Sequence, residues 1–262
     1  MISRTACLAG LGSLALLTAL VAARPATPAA PAPRTAPAAK TRTLLSTAAT
    51  QSFWRRYSCA PLWQLSSSGN SARSGFFGQS GFRIDFALLR VQRDASNPNI
   101  YRVEGKSRCL KNIAVPFEGV IVLKQVYQAP AEANTPSRYT VVGTFEFVEQ
   151  RIARNTGTYR GTVSADVAPD GSSLALTRIE GSSVGLCGYK FEGQWRSTEG
   201  EVERVVWADN WRTLASQVFH DFEMGDRMPS INPKYAERGW SRYWDNDEWW
   251  AESPAANARL SL

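Results

Sequence analysis

The clearest signal along the chain is alternation. In FRIDFALLRVQ, residues 82–92, Phe82, Ile84, Phe86 and Leu88 fall on one side of an extended backbone. A period of two marks a strand with one buried face. NIYRVEGKSRCL (99–110) follows after the turn-forming SNPN, and PFEGVIVLKQVY (116–127) is a run rich in β-branched residues. RYTVVGTFEFVEQRI, TYRGTVSADV, SLALTRIEG, CGYKFEGQW and VERVVWA continue the series, with NTG and PDGS as turns. The pattern predicts about eight antiparallel strands between residues 76 and 208, with no helical period among them. Such a sheet must close into a lipocalin-like barrel or pack as a sandwich. Gly105, Gly119, Gly143, Gly161 and Gly193 fall inside the strands and mark bends, which favours the barrel.

After residue 208 the period changes. Trp211, Leu214, Val218 and Phe222 sit at helical spacing, with Asp209 or Asn210 to cap the start and Gly225 the end. MPSINPKY is a proline-rich connection, and GWSRYWDNDEWWAES (239–253) follows it. Asp245 and Glu248 have the spacing of a capping box before WWAE, and Pro254 ends that short helix. Trp240, Tyr243, Trp244, Trp249 and Trp250 are the candidate ligand-binding residues, because such rings stack on sugars or anchor an interface. The same rings also suit an extension (209–262) folded back on the β domain, as Trp240, Tyr243 and Trp244 would share one helix face.

The other terminus reads differently. Residues 1–23 carry Arg4 and an apolar run with small residues at 21 and 23, the pattern of a secretory signal. A membrane anchor is the competing reading of the same run, at about the minimum length. Residues 24–42 contain RPATPAAPAPRTAPAAK, a semi-rigid spacer that lacks large apolar side chains. Residues 43–75 form an N-terminal segment ending in a Ser/Gly loop. The mature chain is then exported, periplasmic or extracellular, without a transmembrane span.

Export bears on the cysteines. Without Cys7 in the signal, Cys59, Cys109 and Cys187 remain. The strand-like settings of Cys109 and Cys187 make them the expected disulfide, with Cys59 reduced. Three isolated cysteines and the single His220 offer no zinc spacing, so no metal or other cofactor is assigned. The net charge of +7 is uneven: residues 53–160 carry +8 and residues 161–262 carry −6. The halves are expected to complement each other within one fold, and no nucleic-acid stripe is left.

Three patterns invite chemistry. GSSVG (181–185) matches a nucleophile elbow at Ser183, with Asp209 and His220 in hydrolase order, but a strand-like segment follows where the elbow needs a helix. Glu146, Glu149, Glu192, Glu223 and Asp226 could supply a glycosidase pair, whose convergence no spacing shows. DNDE (245–248) offers calcium oxygens but lacks the EF-hand glycine. No catalytic residue is assigned.

The order YRVEG, PFEGVI, GTF, GQW and GDRMPSINPKYAERGWSRY is similar to that of uncharacterised secreted proteins of Bacteroidota-type bacteria, over roughly residues 75–245. The resemblance implies a β-rich exported domain and carries no catalytic residue. The expected function is a non-catalytic binding module of the envelope or extracellular space, taking a glycan, a lipid or an envelope protein. A carboxylate enzyme acting on glycans and a structural envelope protein are the alternatives.

Overall fold

The computed structural model describes residues 42–65, 72–110, 113–131, 135–152, 155–225, 230–243 and 248–251. The signal, nearly all of the spacer, part of the Ser/Gly loop, Trp244, Asp245, Asp247, Asp226 and Pro254 lie outside the described residues.

The chain runs β1 (Thr43–Leu44), α1 (Thr47–Arg56), α2 (Ala60–Trp63), β2 (Arg73–Phe77), β3 (Phe82–Arg93), β4 (Ile100–Cys109) and β5 (Val115–Gln128). It continues with β6 (Tyr139–Glu149), β7 (Gly157–Asp170), β8 (Ser173–Leu176), β9 (Tyr189–Ser197), β10 (Val202–Ala208) and α3 (Trp211–Val218). Strands β2 to β7, then β9 and β10, each pair antiparallel with the next, and β10 pairs back onto β2. This is an antiparallel barrel of eight strands; β1 and β8 lie outside the ring, on β5 and β7. A closed ring has no exposed edge.

The alternation read from the sequence decides what fills the ring. Ile84, Phe86, Leu88, Phe145, Phe147, Val163, Phe191, Val205 and Trp207 are buried in one cluster. Trp207 is sandwiched between Phe86 at 4.0 Å and Phe191 at 4.7 Å, both stacked. An eight-stranded barrel is just wide enough for side chains to fill it. Bending follows the glycines: Gly161 and Gly193 face each other across β7 and β9. A Cβ on either would lie 2.2 Å from the Glu192 carbonyl or 2.1 Å from the Arg160 carbonyl. Bulges between Leu88 and Arg90 and between Leu123 and Gln125 add local twist.

Away from β2 and β10, many outward positions are charged: Arg90, Glu104, Glu118, Lys124 and Arg160 are exposed. This polarity is the inverse of a membrane-spanning barrel, whose outer band is apolar. Among the described residues no helix is long and apolar enough to cross a membrane.

Two elements cover the ring. At the end carrying turns 94–99 and 129–138, α1 and α2 form a plug. Ser46 caps α1 by accepting from the Ala49 N–H at 3.3 Å, and Phe53, Trp54, Leu62 and Trp63 are buried. Trp63 meets Tyr101 and Phe191 edge-on. Arg93 donates to the Trp54 and Tyr57 carbonyls, and the Cys59 N–H donates to Tyr101 Oη. The sequence reading had no helix in residues 43–75.

The second cover lies on the outer face of β2, β3 and β10. Phe76, Val206 and Ala208 point outward and pack against Trp211, Leu214, Phe222, Tyr235 and Trp240. Asn210 caps α3, accepting from the Thr213 N–H, as expected, but the helix stops at Val218, well before Gly225. At WWAE the backbone forms only a 3₁₀ turn, Trp249–Ala251.

The Cys109–Cys187 disulfide is not formed: Cys59, Cys109 and Cys187 are all free. Cys109 ends β4 beside the 110–114 turn, whereas Cys187 precedes β9 in the connection at the helical end. Cys109 packs against the barrel core and Cys187 belongs to the outer cluster with Trp211 and Leu214, so the two are not brought together. Among the described residues, Arg90–Glu104, Arg160–Glu146, Arg204–Glu192 and Arg212–Glu223 join partners close in sequence. In a meander, neighbouring strands are neighbours in sequence, so charges neutralise locally.

Candidate functional site

The aromatic extension is largely committed to packing. Trp240 is fully buried and donates from Nε1 to the Gly81 carbonyl at 2.9 Å. Half-buried Tyr243 lies on Trp211 and under the Arg83 guanidinium. Trp249 is 3 % exposed, with Arg108 over its ring at 4.7 Å. Trp250 is half-buried, and its carbonyl accepts from Lys106 at 2.6 Å. The tail seals a buried ionic cluster in which Asp85 accepts from Ser74 and Arg83 and stands 3.7 Å from Arg108. These rings close the outer face of β2 to β4 and present no open row of stacking faces.

At the barrel end carrying the β2–β3, β4–β5, β6–β7 and β9–β10 connections, one carboxylate organises the interior. Glu149 Oε1 accepts from Ser107 at 2.6 Å and Tyr159 at 2.8 Å. Its Oε2 accepts from the Gly157 N–H at 2.9 Å and Trp195 Nε1 at 3.0 Å. Burial, and then the Glu149 charge, push the Tyr159 phenol well above its ordinary pKa, so it stays a donor. Nearby Cys109 is pushed up to about 12 by burial, Asp85 and Glu149. A carboxylate with four donors is a satisfied structural group.

Among the described residues the other candidate carboxylates are engaged as well. Glu146 holds Arg160 at 2.7 Å, Glu192 holds Arg204 at 2.7 Å, and Glu223 holds Arg212 at 2.6 Å. A buried carboxylate absent from the sequence reading, Asp166, accepts from Thr140, Ser182 and the Ile179 N–H. Burial raises its pKa, and those hydrogen bonds oppose the rise. Ser183 stands in the turn between β8 and β9, flanked by Gly181 and Gly185 in left-handed conformation, and β9 follows it. His220 is exposed, with Nδ1 3.0 Å from the Ser216 carbonyl. Among the described residues no group of three His, Cys, Asp or Glu side chains could hold a metal.

An open groove lies at the helical end, between α1, β1, the 94–99 turn and β5. Its volume is about 670 Å³. Thr47, Gln51 and Arg55 reach it from one face of α1, Asn97 and Asn99 from the turn, and Lys124 and Gln125 from β5. Trp54 contributes a nearly buried wall. Among the described residues, Arg55 and Lys124 are the cations that line the groove and no carboxylate does. Local bonds fix its frame: Asp94 accepts from the Ser96 and Asn97 N–H groups, and Asn99 donates to the Leu123 carbonyl. These hydrogen bonds also hold the Asp94 carboxyl below its ordinary pKa. Gln51, Arg55 and Lys124 are exposed. Together they offer amide, hydroxyl and cationic donors to a polar ligand. The sequence reading missed this groove, because its walls come from three separate segments, residues 44–55, 96–99 and 123–125.

The chain matches no protein-family model, no curated protein and no solved structure.

Proposed function

We propose that the protein is an exported, non-catalytic binding module of the cell envelope or extracellular space that takes a glycan in the groove beside α1. One observation carries the reading: a polar groove of about 670 Å³, lined by amides, hydroxyls, Arg55 and Lys124 with no carboxylate, beside an interior already filled by side chains. Glycan hydroxyls and acetamido groups pair with amide donors and acceptors, and the two cations favour a sugar that bears carboxylates. The filled interior supports an outside site, since a lipocalin-type ligand would need the volume held by Phe86, Phe191 and Trp207. The engagement of Glu146, Glu149, Glu192 and Glu223 in ion pairs or buried hydrogen bonds supports binding over turnover.

A glycan-array screen, paired with a reducing-sugar release assay, tests the reading. The expected outcome is binding without release. Gln51→Ala and Arg55→Ala should each weaken binding about 5- to 10-fold, the loss of one hydrogen bond or one charge-assisted contact, with unchanged thermal melts. Sugar release, or binding indifferent to both substitutions, would refute it.

A further inference from the structure

The end of the barrel opposite the groove carries a different surface. Val148, Thr158, Arg196 and Val202 form one cross-strand row on the outer face, at the outermost level of β6, β7, β9 and β10. Val148 and Val202 are 49 % and 41 % exposed, and Ile152 in the adjoining 150–156 turn is 46 % exposed. Leu44, Leu186 and Met224 are as open elsewhere, but these three aliphatic side chains flank one polar cleft.

Between them lies a cleft of about 350 Å³ lined by Arg151, Arg160 and Arg196. Arg160 is shared with Glu146, which raises its pKa through the hydrogen bond and the charge between them. The carboxylate lining the cleft is Glu149, and its oxygens are already taken by Ser107, Tyr159, Gly157 and Trp195. Glu199 and Glu201 stand on the neighbouring hairpin but do not line the cleft. The cleft therefore shows guanidinium donors to its ligand, with hydroxyls of Thr158 and Thr198 beside them.

We propose that this end docks on a membrane surface, the arginine cleft taking the phosphate of an anionic phospholipid while Val148, Ile152 and Val202 dip into the interface. Guanidinium matches phosphate geometry. The flanking aliphatics select a lipid over a free anion, because only a lipid gives them something apolar to cover. The site is separate from the groove, so either proposal can fail without the other.

Co-sedimentation of the full chain with phosphatidylcholine vesicles, made with and without phosphatidylglycerol, reads the proposal. Residues 1–42, which carry Arg4, Arg24, Arg34, Lys40 and Arg42, are identical in every variant, so the change in phosphatidylglycerol-dependent binding between variants isolates this end. A basic side chain near an anionic surface contributes roughly fivefold, so Arg151→Ala with Arg196→Ala should cut that part about 25-fold. The double lysine variant should keep most of it, and Val148→Ser with Ile152→Ser should weaken it without touching the arginines. Equal binding to both vesicle types overturns the proposal. So does phosphatidylglycerol-dependent binding that survives the double alanine variant. Saturable binding of inorganic phosphate with no preference for vesicles would make the ligand a free anion and overturn it too.

Discussion

The two ends of the barrel are closed by opposite chemistry. At the helical end an apolar plug does it: Phe53, Trp54, Leu62 and Trp63 fill the opening, and hydrogen bonds from Arg93 and to Tyr101 tie down the backbone. At the turn end one carboxylate draws four donors from β4, β7 and β9 into a knot. The plug depends on volume and tolerates imprecise contacts. The knot depends on every donor meeting its acceptor, because a buried polar group left alone costs far more than a satisfied one gains. The difference also sorts the surfaces. The plug leaves α1 with an outer face free to line a polar groove, while the knot turns Glu149, at the cleft of the other end, inward and leaves arginines outside.

Truncation of the plug should have the largest effect. Trp63→Ala removes a ring that is 3 % exposed and should cost about 3–5 kcal/mol. Chemical denaturation measures it, and a loss below about 1 kcal/mol would mean that the plug is not part of the core. A smaller loss should follow at the turn end. Glu149→Gln keeps the shape but sets an amide N–H₂ against donors, for roughly 2–3 kcal/mol. If Glu149→Gln instead cost more than Trp63→Ala, polar satisfaction would outweigh volume in this barrel.

The smallest effect compares the ends through their thiols. Burial pushes Cys59, under the plug, and Cys109, beside the knot, up to about 12. A thiol whose folded pKa is raised contributes fully below its unfolded value near 9 and loses that contribution as pH rises toward 12. The native state holds the proton that the unfolded chain has released. Each thiol should therefore cost about 1.4 kcal/mol of stability by pH 10. Melts across pH 8–11 should flatten by similar amounts in Cys59→Ala and Cys109→Ala. Peptide mapping after alkylation under denaturing, non-reducing conditions should find Cys59, Cys109 and Cys187 all modified.

The strands were readable because alternation is written locally. Ile84, Phe86 and Leu88 are buried as their spacing requires, and Gly161 and Gly193 announced the bends of a closed barrel. The plug left a fainter trace: Ser46 as a cap, then Phe53, Trp54 and Tyr57 on adjoining helix faces, within a segment too short to outweigh its loop-like surroundings. The knot left none. Ser107, Glu149, Tyr159 and Trp195 lie on four strands, and only the register of the ring brings them together. The proposed disulfide failed for the same reason, since two strand-like cysteines can stand at opposite ends of a barrel. Trp240 and Trp249 were candidates for ligand binding from their ring chemistry alone, and both rings are buried.

The account holds that ligand meets this protein on the outside, beside α1. Amide chemical-shift mapping of the full chain, titrated with the best glycan from the array, asks where. Shifts confined to residues 47–55, 96–99 and 123–125 are the predicted result. Shifts centred on the barrel interior or on residues 239–251, or none with any glycan, would contradict it.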